Sequence, residues 1–116
     1  MQYRPVKERG EVLPWVKELK GKSGAYIIKE RGLLGSVVYV GESHTGRLKP
    51  TLLRHFQRWK GPTSGPTFDA GKIEVAVIRT PAARAVATQD ALILEFEPKH
   101  NTVGKPPGFW ESIFGK

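Results

Sequence analysis

The alternation of apolar and polar positions predicts three β-strands. Residues 24–30 and 36–41 are rich in β-branched and aromatic side chains, and they flank the glycine-containing residues 31–35, which predicts a β-hairpin. A hairpin centred between Gly32 and Leu33 places Tyr26 directly opposite Tyr39, so the two phenol rings share one face of the sheet. Residues 72–79 alternate in the same way and predict the third strand.

Helical spacing of the apolar residues predicts three helices. A short helix begins near Pro14, where the missing N–H of proline costs little. A second helix begins near Pro50, and its apolar positions recur at helical spacing: Leu48, Leu52, Leu53, Phe56 and Trp59. The third has Thr80 as N-cap and proline at its first position, and Pro98 stops it after about Glu97.

The third predicted helix carries one polar residue on its buried stripe. The members of this stripe recur at i, i+3, i+4 and i+7: Ala82, Ala85, Val86, Gln89, Leu92, Ile93 and Phe96. A buried amide without partners costs about 1–3 kcal/mol. Gln89 is therefore either a hydrogen-bonded core amide or a side chain that faces a cleft.

These elements predict an α+β fold, a small three-stranded antiparallel sheet flanked by helices, in a single domain of residues 1–116. The core spans residues 24–101, preceded by a loose polar arm (1–10) and the first helix, and followed by a tail (102–116). Residues 61–71 form a long Gly/Pro-rich surface loop, either functional or a tolerated insertion. The tail is expected to pack through its apolar residues, Phe109, Trp110 and Phe114.

Composition narrows the classes of partner. Lys and Arg total 19 against 11 acidic residues, a net charge of +8. This balance favours a polyanion, with nucleic acid first and anionic membrane second, although charge that only keeps the protein dispersed is the alternative. The absence of cysteine excludes disulfides and thiolate metal sites. No signal peptide or membrane-spanning run is seen, so we expect a cytoplasmic location and no membrane partner; the sequence sets no oligomeric state.

Candidate chemistry is concentrated in and after the hairpin. The two tyrosines are followed by a segment of imidazoles, guanidiniums and an ammonium: His44, Arg47, Lys49, Arg54, His55 and Arg58. A lone strand tyrosine is usually a packing residue, but this combination is typical of a phosphate site. The three histidines lack the spacing of metal ligands, so a zinc site is not predicted.

The order of these motifs resembles a known family. G-A-Y at 24–26 and Y-V-G at 39–41 resemble the paired motifs of the GIY-YIG endonucleases. The resemblance continues through R-H-F at 54–56, the strand at 73–77, and a final run of Gln89, Leu92-Ile93, Pro98 and Asn101. It covers residues 24–101 and implies cleavage of DNA phosphodiester bonds with one divalent metal, Mg²⁺ or Mn²⁺.

The resemblance also implies roles for individual residues. Tyr26 matches the tyrosine that helps to activate water, and Tyr39 matches the one that positions the phosphate or shares in proton transfer. His55 is counted with the catalytic residues, while Gly41 and Asn101 support the fold near the site. DNA contacts are expected from the basic segment: His44, Lys49, Arg54 and Arg58.

The catalytic arginine of the family has no matching arginine here. Its position falls on Thr51 when counted back from R-H-F and on Lys49 when counted forward from Tyr39. Arg47 is the nearest arginine and is assigned the role of stabilising charge in the transition state, with Arg54 as the alternative.

The metal-binding glutamate of the family falls on Gln89. A neutral amide offers a carbonyl oxygen without charge, so its hold on Mg²⁺ is weaker. Either the chain is naturally impaired, or its metal is held otherwise, or it is an inactivated variant. Three functions are therefore carried forward: a DNA endonuclease, a non-catalytic DNA-binding module on the same fold, and a basic protein-interaction domain.

Overall fold

The computed structural model describes residues 1–57 and 66–101, and every structural statement below concerns those residues. The strands are β1 (Lys7–Glu8), β2 (Glu11–Val12), β3 (Gly24–Glu30), β4 (Val37–Ser43) and β5 (Ile73–Arg79). The helices are α1 (Pro14–Lys17), α2 (Leu48–Leu53) and α3 (Ala82–Phe96), with 3₁₀ turns at Arg54–Phe56 and Ala70–Lys72. Among the described helices, none has both the length and the apolar character needed to cross a membrane.

The predicted α+β architecture is confirmed. β4, β3 and β5 form a three-stranded antiparallel sheet in that order, with β3 in the centre. The third strand lies where the alternation of residues 72–79 predicted it. β1 and β2 add a separate two-stranded antiparallel pair.

The register of the hairpin differs from the prediction. Tyr26 pairs with Gly41, and Tyr39 pairs with Ile28. The expectation that the two tyrosines lie directly opposite was wrong by two residues, because the turn sits further along the chain and a β-bulge interrupts the ladder after Ile28. A shift of two residues preserves the face of every side chain, so both tyrosines still lie on the same side of the sheet.

Alternating side chains of the sheet enter two separate cores. On one face, Tyr26 and Ile28 pack with apolar residues from the N-terminal segment, α1 and α2: Val6, Val16, Leu19, Leu48 and Leu52. We call this the aromatic face. On the other, the α3 face, Ala25 and Ile27 pack against Leu92 and Ile93 of α3. α3 and α2 therefore lie on opposite sides of the sheet.

The first ten residues belong to the fold, and the prediction of a loose arm was wrong. Val6 is completely buried. Arg4 forms two backbone hydrogen bonds with Val75, of 2.9 and 2.8 Å, along the outer edge of β5. Trp15 donates its indole N–H to the carbonyl of Pro5 (2.8 Å). One buried valine in a polar stretch gives no periodic signal, so the pattern did not reveal this contact.

The outer edge of β4 is also paired. The backbone N–H of His100 donates to the carbonyl of Val38 (2.9 Å). The Asn101 amide then imitates a peptide group: its Oδ1 accepts from the Val40 N–H (2.7 Å), and its Nδ2 donates to the Val40 carbonyl (2.6 Å). Both edges of the small sheet are thus partly satisfied, which limits edge-to-edge association.

The first two helices follow the predicted pattern in part. α1 begins at Pro14 as predicted. α2 begins at Leu48, before the predicted start, and ends at Leu53, after which the chain continues as a 3₁₀ turn. The predicted extension of the second helix to Trp59, residues 61–65 of the predicted loop, and the tail residues Phe109, Trp110 and Phe114 lie outside the described residues.

α3 ends close to the predicted stop, but its start and its stripe differ. Thr80 is not the N-cap: its hydroxyl donates to the carbonyl of Pro81 (2.9 Å), and Pro81 occupies the cap position. Ala82 and Val86 are exposed, so the predicted stripe was too wide. Helical spacing indicates which side of a helix is apolar. How much of that side is buried depends on the width of the sheet that packs against it.

Candidate functional site

Five aromatic rings from separate parts of the chain lie in contact on the aromatic face. Tyr26 comes from β3, Tyr39 from β4, His55 from the turn after α2, Phe68 from the segment before β5, and His100 from beyond α3. The ring centroids of Tyr26 and His55 are 5.6 Å apart, and those of Tyr39 and His55 are 4.7 Å apart. Phe68 lies 6.4 Å from Tyr39 and 5.7 Å from His100. We call these five residues the aromatic cluster.

The inner end of the cluster is a chain of two hydrogen bonds. The Tyr26 hydroxyl and His55 Nε2 are 2.7 Å apart, and His55 Nδ1 is 2.7 Å from the carbonyl oxygen of Pro66. A carbonyl can only accept, so Nδ1 carries the proton and donates. In the neutral imidazole Nε2 is then the acceptor, and the Tyr26 hydroxyl donates to it.

Burial holds both partners of this bond neutral. Tyr26 and His55 are each 1% exposed. Burial lowers the pKa of His55, although the bond to the Pro66 carbonyl acts in the opposite direction. Burial raises the pKa of Tyr26 well above its ordinary value, and the nearby Tyr39 and Glu42 add to this. The inner pair is therefore a neutral donor–acceptor unit near pH 7.

Gly41 is required by the ring across from it. Tyr26 lies directly opposite Gly41 in the ladder. A Cβ at position 41 would collide with Cζ and the hydroxyl oxygen of Tyr26. The Y-V-G motif at 39–41 ends in glycine because the Tyr26 ring occupies the space where a side chain at position 41 would lie.

The outer end of the cluster is different. Tyr39, Phe68 and His100, which we call the outer rings, are only partly buried. Burial, with a smaller effect from the Glu42 carboxylate, raises the pKa of Tyr39. Among the described residues, no hydrogen-bond partner is found for the Tyr39 hydroxyl or the His100 imidazole; His100 meets Phe68 edge-on instead. Two polar groups at this rim are therefore available to a ligand.

The structure brings together three of the predicted catalytic residues, Tyr26, Tyr39 and His55. Tyr26 and His55 are buried, whereas Tyr39 is only partly buried. His55 falls within the span of the predicted second helix, but the structure places it in the 3₁₀ turn Arg54–Phe56. A 3₁₀ turn has 3.0 residues per turn instead of 3.6, which changes the direction of the side chain, and the imidazole points into the core.

Arg47 lies at the other end of α2 from the cluster. Its side chain is exposed, and its backbone N–H donates to the Ser43 hydroxyl (3.0 Å). Together with two lysines and small residues, it lines a shallow depression that we call the basic pocket: Lys20, Gly21, Gly46, Arg47, Lys49 and Pro50. Eight residues separate Arg47 from His55, about 12 Å along a helix. The predicted arginine and the aromatic cluster are thus neighbouring features that do not share one pocket.

The other predicted contacts are dispersed. Arg54 is exposed on the turn after α2. His44 is exposed, and its Nδ1 lies 3.0 Å from the Glu42 carboxylate. Lys49 belongs to the basic pocket, and Arg58 lies outside the described residues.

No contact between Gln89 and either tyrosine is found among the described residues, so its orientation toward them stays a prediction. α3 packs through Leu92 and Ile93 on the α3 face, whereas the tyrosines lie on the aromatic face. Gln89 is half-buried, and its amide nitrogen reaches Asp90 Oδ1 at a long 3.4 Å. Within residues 1–57 and 66–101, no group of three or more His, Asp or Glu side chains could hold a metal ion.

Sequence reasoning missed Pro66, Phe68 and His100. Phe68 is an aromatic residue in a Gly/Pro-rich loop, and His100 adjoins the motif residue Asn101. Isolated aromatic residues in loops are a weak signal that could have pointed to Phe68 and His100.

Searches against protein-family models and against curated proteins find no match for this chain.

Proposed function

We propose that this chain is a GIY-YIG-type DNA endonuclease domain whose hydrolytic activity is impaired because Gln89 stands where the family has glutamate. The observation that carries the proposal is the convergence of Tyr26, Tyr39 and His55 from three elements into one ring cluster. These residues belong to the ordered motifs on which the resemblance rests. The three-stranded antiparallel sheet, with both tyrosines on one face, agrees with the fold that the family implies.

The charge of the molecule supports DNA as the partner. The net charge is +8, and the basic pocket groups Lys20, Arg47 and Lys49 beside the start of α2. Such a group suits phosphate oxygens of a nucleic-acid backbone. Arg47 remains the proposed transition-state cation, with Arg54 as the alternative.

The residues present do not fit the divalent metal that the family implies. Gln89 has no charge, its amide is directed at Asp90, and the described residues contain no three-ligand group of acids and histidines. Tyr26 contributes a donor that holds His55 neutral, and Tyr39 contributes a hydroxyl at the rim that is placed to contact a phosphate.

The second candidate is a non-catalytic DNA-binding module. Two observations favour it: the amide at position 89, and the Tyr26 hydroxyl, which is buried and already engaged with His55. A phenol with a raised pKa is a poor general base near neutral pH. Binding by the basic pocket requires neither group.

Nicking of supercoiled plasmid separates the two candidates. The native chain and Gln89→Glu are compared with Mg²⁺, with Mn²⁺ and with chelator; Gln57→Glu, at an exposed glutamine, is the matched control. For the endonuclease, Gln89→Glu gains metal-dependent nicking, the control does not, and added metal raises the Tm of that variant only. A Gln89→Glu chain that is less stable, indifferent to metal and unable to cut leaves a binding module.

Salt dependence of DNA affinity separates both candidates from a protein-interaction domain. Each phosphate contact should add about 0.9 to the slope of log K against log salt. A steep slope for a duplex oligonucleotide is expected from a protein that carries a basic pocket. Binding that does not change with salt, or no binding, removes both nucleic-acid functions.

A further inference from the structure

The outer rings lie at the rim of the core of the aromatic face, and Tyr39 and Phe68 pack against that core. Phe68 contacts both Tyr39 and His100, with interplanar angles of 49° and 71°. All three are partly buried. The rings are therefore held in place by their neighbours while part of each remains accessible.

Two residues that contact the Phe68 ring, Tyr39 and His100, carry polar groups. Neither the Tyr39 hydroxyl nor the His100 imidazole has a hydrogen bond to any residue that the structure describes. A partly buried phenol or imidazole usually finds such a partner. A ligand that places a flat ring on Phe68 and polar atoms within reach of the Tyr39 hydroxyl and the His100 imidazole would complete the arrangement.

We infer that the outer rings bind an unpaired nucleotide of DNA, with the base stacked on Phe68. This rests on the DNA-binding function proposed above and narrows its substrate class. Bases in an intact duplex are stacked on each other and cannot present a face to a protein ring. The Tyr39 hydroxyl donates to a phosphate or base oxygen, and His100 contacts the base edge or the adjacent phosphate.

The basic pocket lies close enough to the outer rings for one DNA strand to contact both. His55, which contacts Tyr39 and Phe68, lies eight positions after Arg47 and beyond the end of α2, which corresponds to about 12 Å of helical rise. This length corresponds to about three or four phosphates of a stacked strand at 3.4 Å each. The strand backbone can thus meet the pocket while one of its bases reaches the outer rings, an arrangement common to single-strand binders.

The test compares oligonucleotides of one length, in chelator so that nothing is cut. One is fully paired; the other carries a single-stranded stretch containing 2-aminopurine, whose fluorescence falls when it stacks. Phe68→Leu keeps apolar volume and removes the ring; Phe68→Trp restores a ring. Leu33→Ala removes a 99%-exposed apolar side chain at the distant hairpin tip and serves as control.

We expect the native chain to bind the unpaired oligonucleotide more tightly and to quench 2-aminopurine. Phe68→Leu should weaken that binding about tenfold and abolish quenching while leaving duplex binding unchanged, and Phe68→Trp and Leu33→Ala should behave as native. Tyr39→Phe removes only the Tyr39 hydroxyl and should weaken binding of the unpaired oligonucleotide at unchanged Tm. This second variant tests the inference even if Phe68→Leu does not fold.

Two results overturn the inference, and they differ. Equal affinity for both oligonucleotides, with no effect of Phe68→Leu or Tyr39→Phe, overturns the stacking site and leaves DNA binding intact. Absence of binding to either oligonucleotide overturns the proposed function and this inference with it.

Discussion

The two faces of the sheet are built from different chemistry. The buried residues of the α3 face are all apolar: Ala25, Ile27, Val40, Ala76, Leu92 and Ile93. The aromatic face also has an apolar core, but it adds the buried phenol of Tyr26 and the buried imidazole of His55. An apolar face needs only side chains of suitable size, whereas every buried polar atom needs a particular partner.

This difference explains where specific residues are required. On the aromatic face, His55 needs the Pro66 carbonyl, Tyr26 needs His55, and the ring of Tyr26 needs a glycine opposite it. On the α3 face, the Lys29–Glu74 ion pair is only partly buried, and the fully buried residues are apolar. Substitutions should therefore have large and distinctive effects on one face and small, generic ones on the other.

The largest expected effect concerns cleavage. In the Gln89→Glu background, Arg47→Ala should lower the nicking rate about 10²–10³-fold, because one charged transition-state contact is lost. The fold should be spared, since the Arg47 side chain is exposed. Rates are measured by single-turnover nicking with Arg54→Ala in parallel. Loss of cleavage in Arg54→Ala but not in Arg47→Ala would transfer the role to Arg54.

Gly41→Ala should destabilise the protein by about 1–3 kcal/mol, because the added methyl group meets the Tyr26 ring and overpacks the aromatic face. The measurement is urea unfolding. Gly71→Ala is the control: its new Cβ meets only Asp69 Oδ1, at 3.3 Å, so we expect a change within about 0.5 kcal/mol. Equal stability of Gly41→Ala and the native chain would mean that the ring does not occupy this space.

Acid should lower the free energy of unfolding through protonation of His55 on the aromatic face. The folded pKa of His55 lies below the value of about 6.5 in the unfolded chain, so below that pH the unfolded state binds the proton first. Stability is therefore complete above about pH 6.5 and is lost as pH falls toward the folded pKa, by about 1.4 kcal/mol for each unit of lowering.

The Tm is measured between about pH 7.5 and about pH 5, a range that brackets the ordinary histidine pKa of about 6.5. His55→Gln should lack the acid-dependent loss, whereas His44→Gln, at an exposed histidine, should keep it. The same slope in the native chain and in His55→Gln would assign the acid sensitivity to other groups.

The smallest effect is expected on the α3 face. Ile93→Val removes one buried methylene and should cost about 0.5–1.5 kcal/mol at every pH, because no titratable group is involved. The free energy of unfolding is measured in urea at about pH 7.5 and about pH 5, on either side of the ordinary histidine pKa. A pH-dependent loss would show that the two faces are coupled and would break the comparison.

The sequence by itself determined the elements and the faces. Alternation located β3 and β5, helical spacing located α2 and α3, and both tyrosines were placed on one face. These features follow from periods of two and 3.6 residues, which are local properties of the chain. The assignment of the tyrosines survived an error in register because a shift of two residues leaves the face unchanged.

Tertiary structure decided the partners. The Tyr26–His55 bond spans 29 residues, and the pairing of Asn101 with Val40 spans 61. Periodicity carries no information about such distant contacts, so the neutral tyrosine–histidine pair and the closure of the β4 edge appeared only in the folded chain. Each depends on which elements pack together, and packing is a property of the whole domain.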